Sequence, residues 1–445
     1  MGSLSQTTPP VRAALSTVET RVRPFLVLAT AFLVWVLPSK LPTLILIVAT
    51  FLAALPLARR GASLWLSSPG GLAALAVAAY ALLSLLWSAH PDLSARELAK
   101  DLPVALGLFA LSVWLSSPEK IEAACLASAS VLGVVLAADV LRLAAALGPT
   151  NLLAQARYFK PYWLTHPNTA GLLAVLTFWT GLYIVRTRWP CGRGTAWGLG
   201  IAIASLAHLF VMGSRGPQAA LGGTAGAAVV LATAVQPRRR WWGLFAALLL
   251  AGLAVVAGPY LNARFRLNDQ LAGRTVVWRQ TWTLTRERPW LGFGYGKKVF
   301  EKVYYEDAAP PPPAPHHFPH PHHYFLFALF QGGRIGLVLR LALWTLLVRG
   351  LWKTLFQIHR WHSLTLLITL QILALHLYGL ADFPDSQAAM ALLALIVPAL
   401  VLTRQAPERF KPMTPSGSPE HPDGDDPKAP ADIPWAESRS GNGPH

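Results

Sequence analysis

The chain has 445 residues, a formal net charge of +17, 53% apolar residues and only 13% charged residues. Soluble proteins usually carry about 25% charged residues, so this composition excludes an ordinary soluble enzyme and favours a polytopic helical membrane protein. In such a protein basic residues mark the cytoplasmic loops, so the positive charge is not a sign of nucleic-acid binding.

Hydropathy predicts about twelve transmembrane helices, each close to the ~20 residues that a helix needs to cross a bilayer. Their approximate ranges are 24–38, 41–58, 70–88, 102–117, 120–141, 167–186, 195–213, 216–236, 241–259, 323–348, 363–381 and 386–403. Several are short for a hydrocarbon core of about 30 Å, so tilting or local thinning of the bilayer is expected. The predicted fold class is an all-α polytopic membrane protein.

The positive-inside rule predicts that both termini are cytoplasmic. With the N-terminus inside, the cytoplasmic loops hold most of the basic loop residues, namely Arg59, Arg60, Arg186, Arg188, Arg193, Arg238, Arg239, Arg240, Arg349, Lys353 and Arg360. A mixed loop from His90 to Asp101 and the acidic sequence ADFPD fall outside. Residues 1–404 are predicted to form one transmembrane domain, and residues 405–445 a disordered cytoplasmic tail rich in Pro, Gly, Ser and Asp.

The one long loop, residues 260–322, is predicted to lie outside the membrane although it is basic. It holds nine Lys or Arg residues and five Asp or Glu residues, so its net charge is +4. Long loops can escape the charge rule, so an ordinary translocated loop remains possible. The functional alternative is a site for an anionic ligand at the outer face of the membrane.

The sequence MGSRGPQAALGG predicts an arginine at the start of the eighth span. Ser214 is a suitable helix cap and Pro217 is tolerated in a first turn, so Arg215 should lie at the helix N-terminus on the outer side. Free N–H groups and the helix dipole favour an anion there, and a guanidinium suits phosphate oxygens. The alternative is an interfacial arginine that snorkels to water.

Within the long loop, AGRTVVWRQTWTLTRERPWLGFGYG predicts an amphipathic helix from Arg274 to Glu287 that ends at Pro289. Arg274, Trp278 and Trp282 share one face at i, i+4 and i+8. The GFGYG that follows is a predicted turn rather than a nucleotide-binding loop, because no strand precedes it. A basic amphipathic helix lying on the membrane is the alternative.

Five histidines fall within eight residues, in the stretch HHFPHPHHYF, and they are His316, His317, His320, His322 and His323. The prolines favour an extended segment that scatters imidazoles, and a zinc site usually recruits Cys, Asp or Glu as well. No metal site is therefore predicted, although adventitious metal binding stays open. A single histidine can instead act as a base near neutral pH.

The sequence HHYFLFALFQGGRIG leads into the tenth span and resembles the motif of the O-antigen ligase and polymerase superfamily. Members read His-Asn, an aromatic residue, a leucine, an acidic residue or Gln, and Gly-x-x-Gly. His322 takes the histidine position, and His323 stands where Asn is usual. Two glycines and Arg334 inside an apolar run also predict a break or a buried polar contact.

Two further motifs resemble those of the same superfamily. Gly273, Arg274 and Trp278, followed by RPWLGFGYG, resemble the loop motif that precedes the histidine, and GSRG at residues 213–216 resembles the arginine motif. The resemblance implies a glycosyltransferase-C-like fold in the bacterial inner membrane with its active site facing the periplasm. It also implies transfer of a glycan from undecaprenyl diphosphate to a sugar hydroxyl of lipid A–core, which completes lipopolysaccharide.

The alternative within the superfamily is a polymerase that joins lipid-linked repeats, and the alternative from another class is a twelve-span transporter. A third branch of the superfamily glycosylates proteins and often carries an extra C-terminal domain. The single long outer loop argues against the polymerase and the short tail against the protein-glycosylating branch, so the ligase is favoured. In its mechanism His322 would take the proton of the acceptor hydroxyl, with inversion, and no cofactor or metal would be needed. The arginines expected to bind the donor diphosphate are Arg215 and Arg274, followed by Arg264, Arg266 and Arg288.

Overall fold

The computed structural model describes residues 48, 51–52, 54–55, 58–148, 167–190, 192–235, 267–308, 318–357, 362–381 and 386–404. Within these ranges every regular element is helical, which confirms the all-α class. The predicted spans 24–38 and 241–259, most of 41–58 and the predicted tail 405–445 lie outside the described residues. The division into a transmembrane domain and a tail therefore stays a prediction.

Twelve α-helices are described. They are α1 (Ala58–Leu66), α2 (Pro69–Leu83), α3 (Pro91–Trp114), α4 (Pro118–Leu147), α5 (Pro167–Arg188), α6 (Gly192–Met212), α7 (Arg215–Val235), α8 (Leu267–Glu287), α9 (Lys297–Lys302), α10 (Tyr324–Gln357), α11 (His362–Ala381) and α12 (Ser386–Arg404). A 3-10 turn, Ser84–Leu86, follows α2, and a π-helical turn, Val303–Asp307, follows α9.

Six segments are long and apolar enough to cross a bilayer. They are Pro69–Leu86, Pro118–Leu147, Asn168–Arg188, Gly192–Met212, Tyr324–Phe356 and His362–Leu380. Each coincides with a span that hydropathy predicted. Their length and composition indicate a polytopic membrane protein, while the total of twelve spans and the orientation remain predictions.

The prediction that residues His90 to Asp101 form a loop is wrong. Residues Pro91–Trp114 form one continuous helix, with Pro91 in its first turn and Asp92 at the positive end of its dipole. The charged residues of this stretch lower its hydropathy. Hydropathy identifies only helices that cross the membrane, so it gives no sign of a helix that lies outside the bilayer. The helix α3 therefore begins well before the span predicted at 102–117.

The larger hydrophobic core is built around α5 and α11. Leu172, Leu173 and Val175 of α5 are fully buried in it. Two hydrogen bonds join helices there: Trp179 Nε1 donates to Thr224 Oγ1 at 3.0 Å, and Gln371 Nε2 donates to Thr180 Oγ1 at 3.0 Å. Such contacts are typical of helix packing in a membrane, where apolar burial alone gives no preference for protein over lipid.

A second core joins the long loop to the start of α10. Its buried members are Val277, Leu284, Phe293, Val299, Phe300, Val303, Tyr304, Phe327 and Phe330. The helix α8 ends at Glu287 as predicted and buries Val277 and Leu284 against this core. Its apolar face is therefore covered by protein, so the alternative of a helix lying on the membrane surface is not needed to explain its pattern.

Candidate active site

The predicted break in the tenth span is present at Gly333. This glycine has φ 59° and ψ −159°, so the i→i−4 ladder of α10 stops there and backbone groups on both sides lose their helical partners. The segment 289–294 supplies new ones at 2.8–3.3 Å. The pairs are Phe293 N with Phe330 O, Gly294 N with Gln331 O, Arg334 N with Pro289 O and Ile335 N with Trp290 O.

Glycine is required on both sides of this joint. A Cβ on Gly333 would lie 2.3 Å from the carbonyl oxygen of Trp290, and one on Gly292 would lie 2.5 Å from that of Phe330. Both residues also have a positive φ, which disfavours any L side chain. The GFGYG turn and the GG of the tenth span are thus two halves of one close backbone contact.

The break folds the two parts of α10 toward each other. Trp344 Nε1 donates to Tyr324 Oη at 3.3 Å, whereas residues 20 apart in a straight helix would be separated by about 30 Å. Arg340 likewise donates to Gln331 Oε1 at 2.8 Å. The bend carries the residues before Tyr324 back toward the middle of α10, which a straight span beginning at residue 323 would not do.

A small pocket lies inside the bend, beside α2 and Tyr295. Two hydrogen bonds of its lining residues brace the bend. The hydroxyl of Tyr80 donates to the carbonyl of Gly332 at 2.8 Å, and Arg340 is paired with Gln331. The pocket is therefore part of the support of the break.

His323 caps the N-terminus of α10. Its Nδ1 accepts a hydrogen bond from the N–H of Leu326 at 3.2 Å, and its carbonyl accepts one from the N–H of Phe327 at 2.9 Å. An asparagine Oδ1 makes the same contact in ordinary helix caps, and here the imidazole nitrogen takes the place of that oxygen. Burial lowers the pKa of His323, which favours the neutral ring that this contact requires.

Residues 318–323, which we call the histidine segment, lead into α10. Within this segment His322 has an unusual backbone conformation. Its φ of 52° is the one positive φ of a non-glycine residue in the part of the chain that the structure describes. Its backbone N–H donates to His320 Nδ1 at 3.2 Å, and the two rings lie 4.2 Å apart between centroids. His320 is buried, whereas His322 is only partly so.

Two side chains of the long loop hold this segment in place. Trp278 Nε1 donates to the carbonyl of Pro321 at 2.7 Å, and its ring meets that of His323 edge-on at 5.5 Å. Tyr305 Oη accepts from the N–H of Phe318 at 2.7 Å. The Gly-Arg…Trp motif and the histidine motif are thus in direct contact.

Arg215 is the first residue of α7, as predicted, and is half-buried. The hydroxyl of Ser214 donates to Asn168 Oδ1 at 2.6 Å and ties this end of α7 to the start of α5. A Cβ on Gly216, the next residue along, would lie 3.1 Å from the ring of Tyr378 in α11. The helix α11 therefore lies directly beside the residue that follows Arg215.

The same end of α11 also contacts the histidine segment. A Cβ on Gly379 would lie 3.2 Å from Cβ of Tyr324, which comes two residues after His322. Tyr378 and Gly379 are neighbours, so the N-terminus of α7 and the segment of His322 meet around one point of α11. The structure brings these two predicted site regions together.

The remaining arginines differ in their positions. Arg274 is half-buried on α8, one turn before Trp278, and so lies close to the histidine segment. Arg288 is exposed, and its Nη1 donates to the carbonyl of Trp87 at 3.2 Å. This contact fastens the loop to the segment after α2. Arg264 and Arg266, together with His316 and His317, lie outside the described residues.

A further histidine, His376 of α11, was not among the predicted site residues. Its ring lies 4.4 Å from that of Trp344 and 6.2 Å from that of Tyr324, between centroids. Its Nδ1–H donates to the carbonyl of Ile372 at 2.8 Å. A lone histidine in an apolar helix gives no sequence signal of this kind, because only the bend of α10 brings Trp344 and Tyr324 to it.

Sequence analysis also missed a buried polar cluster between α4 and α6. His208 Nε2 lies 3.1 Å from Asp139 Oδ2, and Arg142 Nη2 lies 3.0 Å from Asp139 Oδ1. Asp139 and His208 are 3% and 0% exposed. The buried carboxylate of Asp139 is thus paired on both oxygens, and pairing of this kind is typical of an ionisable group in a membrane-spanning segment.

No group of three or more His, Cys, Asp or Glu residues lies together as a possible metal site among the described residues. One comparison with known proteins gave a match. Residues 200–341 match a family model described as O-antigen ligase, and this stretch includes Arg215, Arg274, the histidine segment and the break at Gly333. A comparison with curated proteins gave no match.

Proposed function

We propose that this chain, which carries an O-antigen ligase family domain over residues 200–341, transfers O-antigen glycan from undecaprenyl diphosphate to a sugar hydroxyl of lipid A–core. The match to this family model supports a bacterial membrane protein that acts on a lipid-linked glycan and a lipid acceptor. We infer further that lipid A–core is the acceptor and that transfer takes place at the periplasmic face of the inner membrane.

The observation that carries the proposal is the meeting of three motifs around His322. The histidine segment is bonded to Trp278, one turn from Arg274, and it shares the end of α11 with the residue that follows Arg215. More than 100 positions of the chain separate Arg215 from His322. A base for the acceptor hydroxyl and two cations for the leaving diphosphate are the groups that suit transfer of a glycosyl group from a diphosphate.

His322 would act as the general base. The acceptor oxygen attacks the anomeric carbon of the donor while the bond between that carbon and the diphosphate oxygen breaks. The diphosphate leaves with the bonding electrons, and His322 takes the acceptor proton, so the anomeric configuration inverts. A positioned base contributes roughly 10²–10⁴-fold to such a step.

Arg215 and Arg274 would bind the leaving diphosphate. Its charge rises as the bond breaks, so fixed cations stabilise the transition state more than the ground state. Arg215 adds its guanidinium to the free N–H groups at the N-terminus of α7. The contact that Arg288 makes with the carbonyl of Trp87 favours a supporting role for it over direct diphosphate binding.

The acceptor is tested by supplying both possible acceptors together. Purified protein in vesicles would receive lipid A–core and an undecaprenyl-diphosphate glycan that carries an isotopic label, and the glycolipids would be separated by mass. A ligase gives labelled lipid A–core. Labelled donor glycan that grows in length, with lipid A–core unchanged, identifies a polymerase and contradicts the proposed acceptor. Movement of intact donor across the bilayer without new bonds identifies a transporter.

A further inference from the structure

The conformation of His322 needs a cause. A left-handed conformation places Cβ close to the following carbonyl, which is why residues other than Gly, Asn and Asp seldom adopt it. The segment after His322 does not impose it, because His323 already begins the cap of α10. The hydrogen bond to the N–H of His322 comes from a residue before it.

His320 supplies that support through the hydrogen bond between its Nδ1 and the N–H of His322, at 3.2 Å. Asparagine and aspartate make the equivalent bond from Oδ1 to the N–H two residues later, and the resulting Asx turn is a common local bend. The δ1 nitrogen of histidine lies at the same distance along its side chain as that oxygen. His320 and His323 therefore both use Nδ1 as a backbone acceptor, on either side of His322.

His320 is fixed well enough to act in this way. It is 6% exposed, its ring lies 6.4 Å from that of Phe327, and Trp278 holds the carbonyl of the intervening Pro321. A ring that accepts at Nδ1 must be neutral and carry its proton on Nε2. The backbone at His322 is thus held from a buried, anchored side chain.

We propose that His320 is a positioning residue, whose Nδ1 holds His322 in the left-handed conformation that aims its imidazole at the acceptor hydroxyl. The inference deepens the proposed function and rests on it. It separates the histidines of this stretch into a base, His322, and two backbone acceptors, His320 and His323. What His320 contributes is an acceptor at the δ1 position, so another side chain with the same acceptor should replace it.

Two substitutions of His320 separate this role from simple packing. His320→Asn keeps a δ1 acceptor but loses volume, whereas His320→Leu fills the space and removes the acceptor. If His320 positions the base, His320→Asn retains kcat within about threefold, and His320→Leu loses on the order of 10²-fold, as expected for a misplaced catalytic group. The KM for the lipid-linked donor stays unchanged in both, because the arginines bind it.

If His320 only fills space, the order of the two variants reverses, and His320→Leu is the more active. Equal loss in both variants also overturns the proposal. Wild-type protein in the same assay tests the proposed function separately, because an inactive wild type refutes the ligase. In that case a second measurement tests the role of His320. This measurement records the ¹⁵N resonance of the His320 ring in labelled protein, assigned by its loss in His320→Asn. We expect an unprotonated Nδ1, and a protonated Nδ1 at neutral pH would contradict the inference.

Discussion

The backbone N–H of Phe293 donates to the carbonyl of Phe330 at 2.9 Å, and the two rings stack with centroids 4.8 Å apart. This pair joins the long loop to the broken helix by one polar and one apolar contact. Because the loop also holds the histidine segment through Trp278, the position of His322 depends on the joint at Gly333.

Replacing Gly333 by alanine should disrupt the joint. The new Cβ would meet the backbone of Trp290 at 2.3 Å and the residue would keep a positive φ, so we expect a loss of roughly 2 kcal/mol or more in the free energy of unfolding. Thermal unfolding in detergent measures it. Gly226→Ala in α7 is the control, because a Cβ there meets nothing within 4 Å and helix propensity predicts a gain of up to about 1 kcal/mol. Equal unfolding midpoints for the two variants would show that the contact between segments 289–294 and 330–335 does not require glycine at position 333.

Trp278→Phe should reduce transfer more than it reduces stability. The variant keeps an aromatic ring against His323 but loses the bond to the carbonyl of Pro321, so we expect kcat to fall roughly tenfold. Trp282→Phe is the matched control on the same helix, since its side chain is 51% exposed. Steady-state transfer rates compare them. If Trp278→Phe is as active as Trp282→Phe, the bond from Trp278 to Pro321 does not position the site.

Arg215→Ala should lower kcat by roughly 10²–10³-fold, the usual cost of removing one group that stabilises transition-state charge. Arg215→Lys should restore only part of the rate, because an ammonium keeps the charge without the planar fork. Arg193→Ala, in the exposed first turn of α6, is the control for loss of a cation. If Arg215→Ala and Arg193→Ala transfer equally fast, Arg215 does not bind the diphosphate.

The cap of α10 should make stability depend on pH. Burial lowers the pKa of His323, so the unfolded chain binds the proton more readily than the folded one, and stability falls as the pH drops below the ordinary value of about 6.5. Protonation also removes the Nδ1 acceptor, which as a helix cap contributes roughly 0.5–2 kcal/mol.

His323→Asn keeps the cap without the titrating group. The unfolding midpoint of wild type should therefore fall further between about pH 7.5 and about pH 5.5 than that of His323→Asn. His362→Asn provides the comparison, because His362 lies at the start of α11, away from the histidine segment. The same fall in wild type and His323→Asn would show that His323 does not titrate with folding.

Local patterns of the sequence predicted the local structure well. The helix ending at Glu287, the turn after it, the break in the QGGRIG stretch and the start of α7 at Arg215 are all present. Each depends on residues close in sequence, such as Pro289 or paired glycines. The loop predicted from His90 to Asp101 is wrong, because a charged stretch can be helical as well as irregular.

The features that position His322 could not be predicted in this way. The bonds between segments 289–294 and 330–335 join residues about 40 positions apart, and the fold-back of α10 follows from them. Two histidines act as backbone acceptors, which their residue type does not suggest. His376 joins the site only through that bend. These are consequences of tertiary contact, for which hydropathy and spacing give no signal.

The central claim is that His322 is the base of a glycosyl transfer in which no metal takes part. The most direct measurement compares wild type, His322→Ala and the control His362→Ala in vesicles with donor glycan, lipid A–core and EDTA. We predict that wild type and His362→Ala add glycan to lipid A–core, while His322→Ala folds and transfers roughly 10²–10⁴-fold more slowly. Near-normal transfer by His322→Ala, or loss of wild-type transfer in EDTA that zinc restores, would contradict the account.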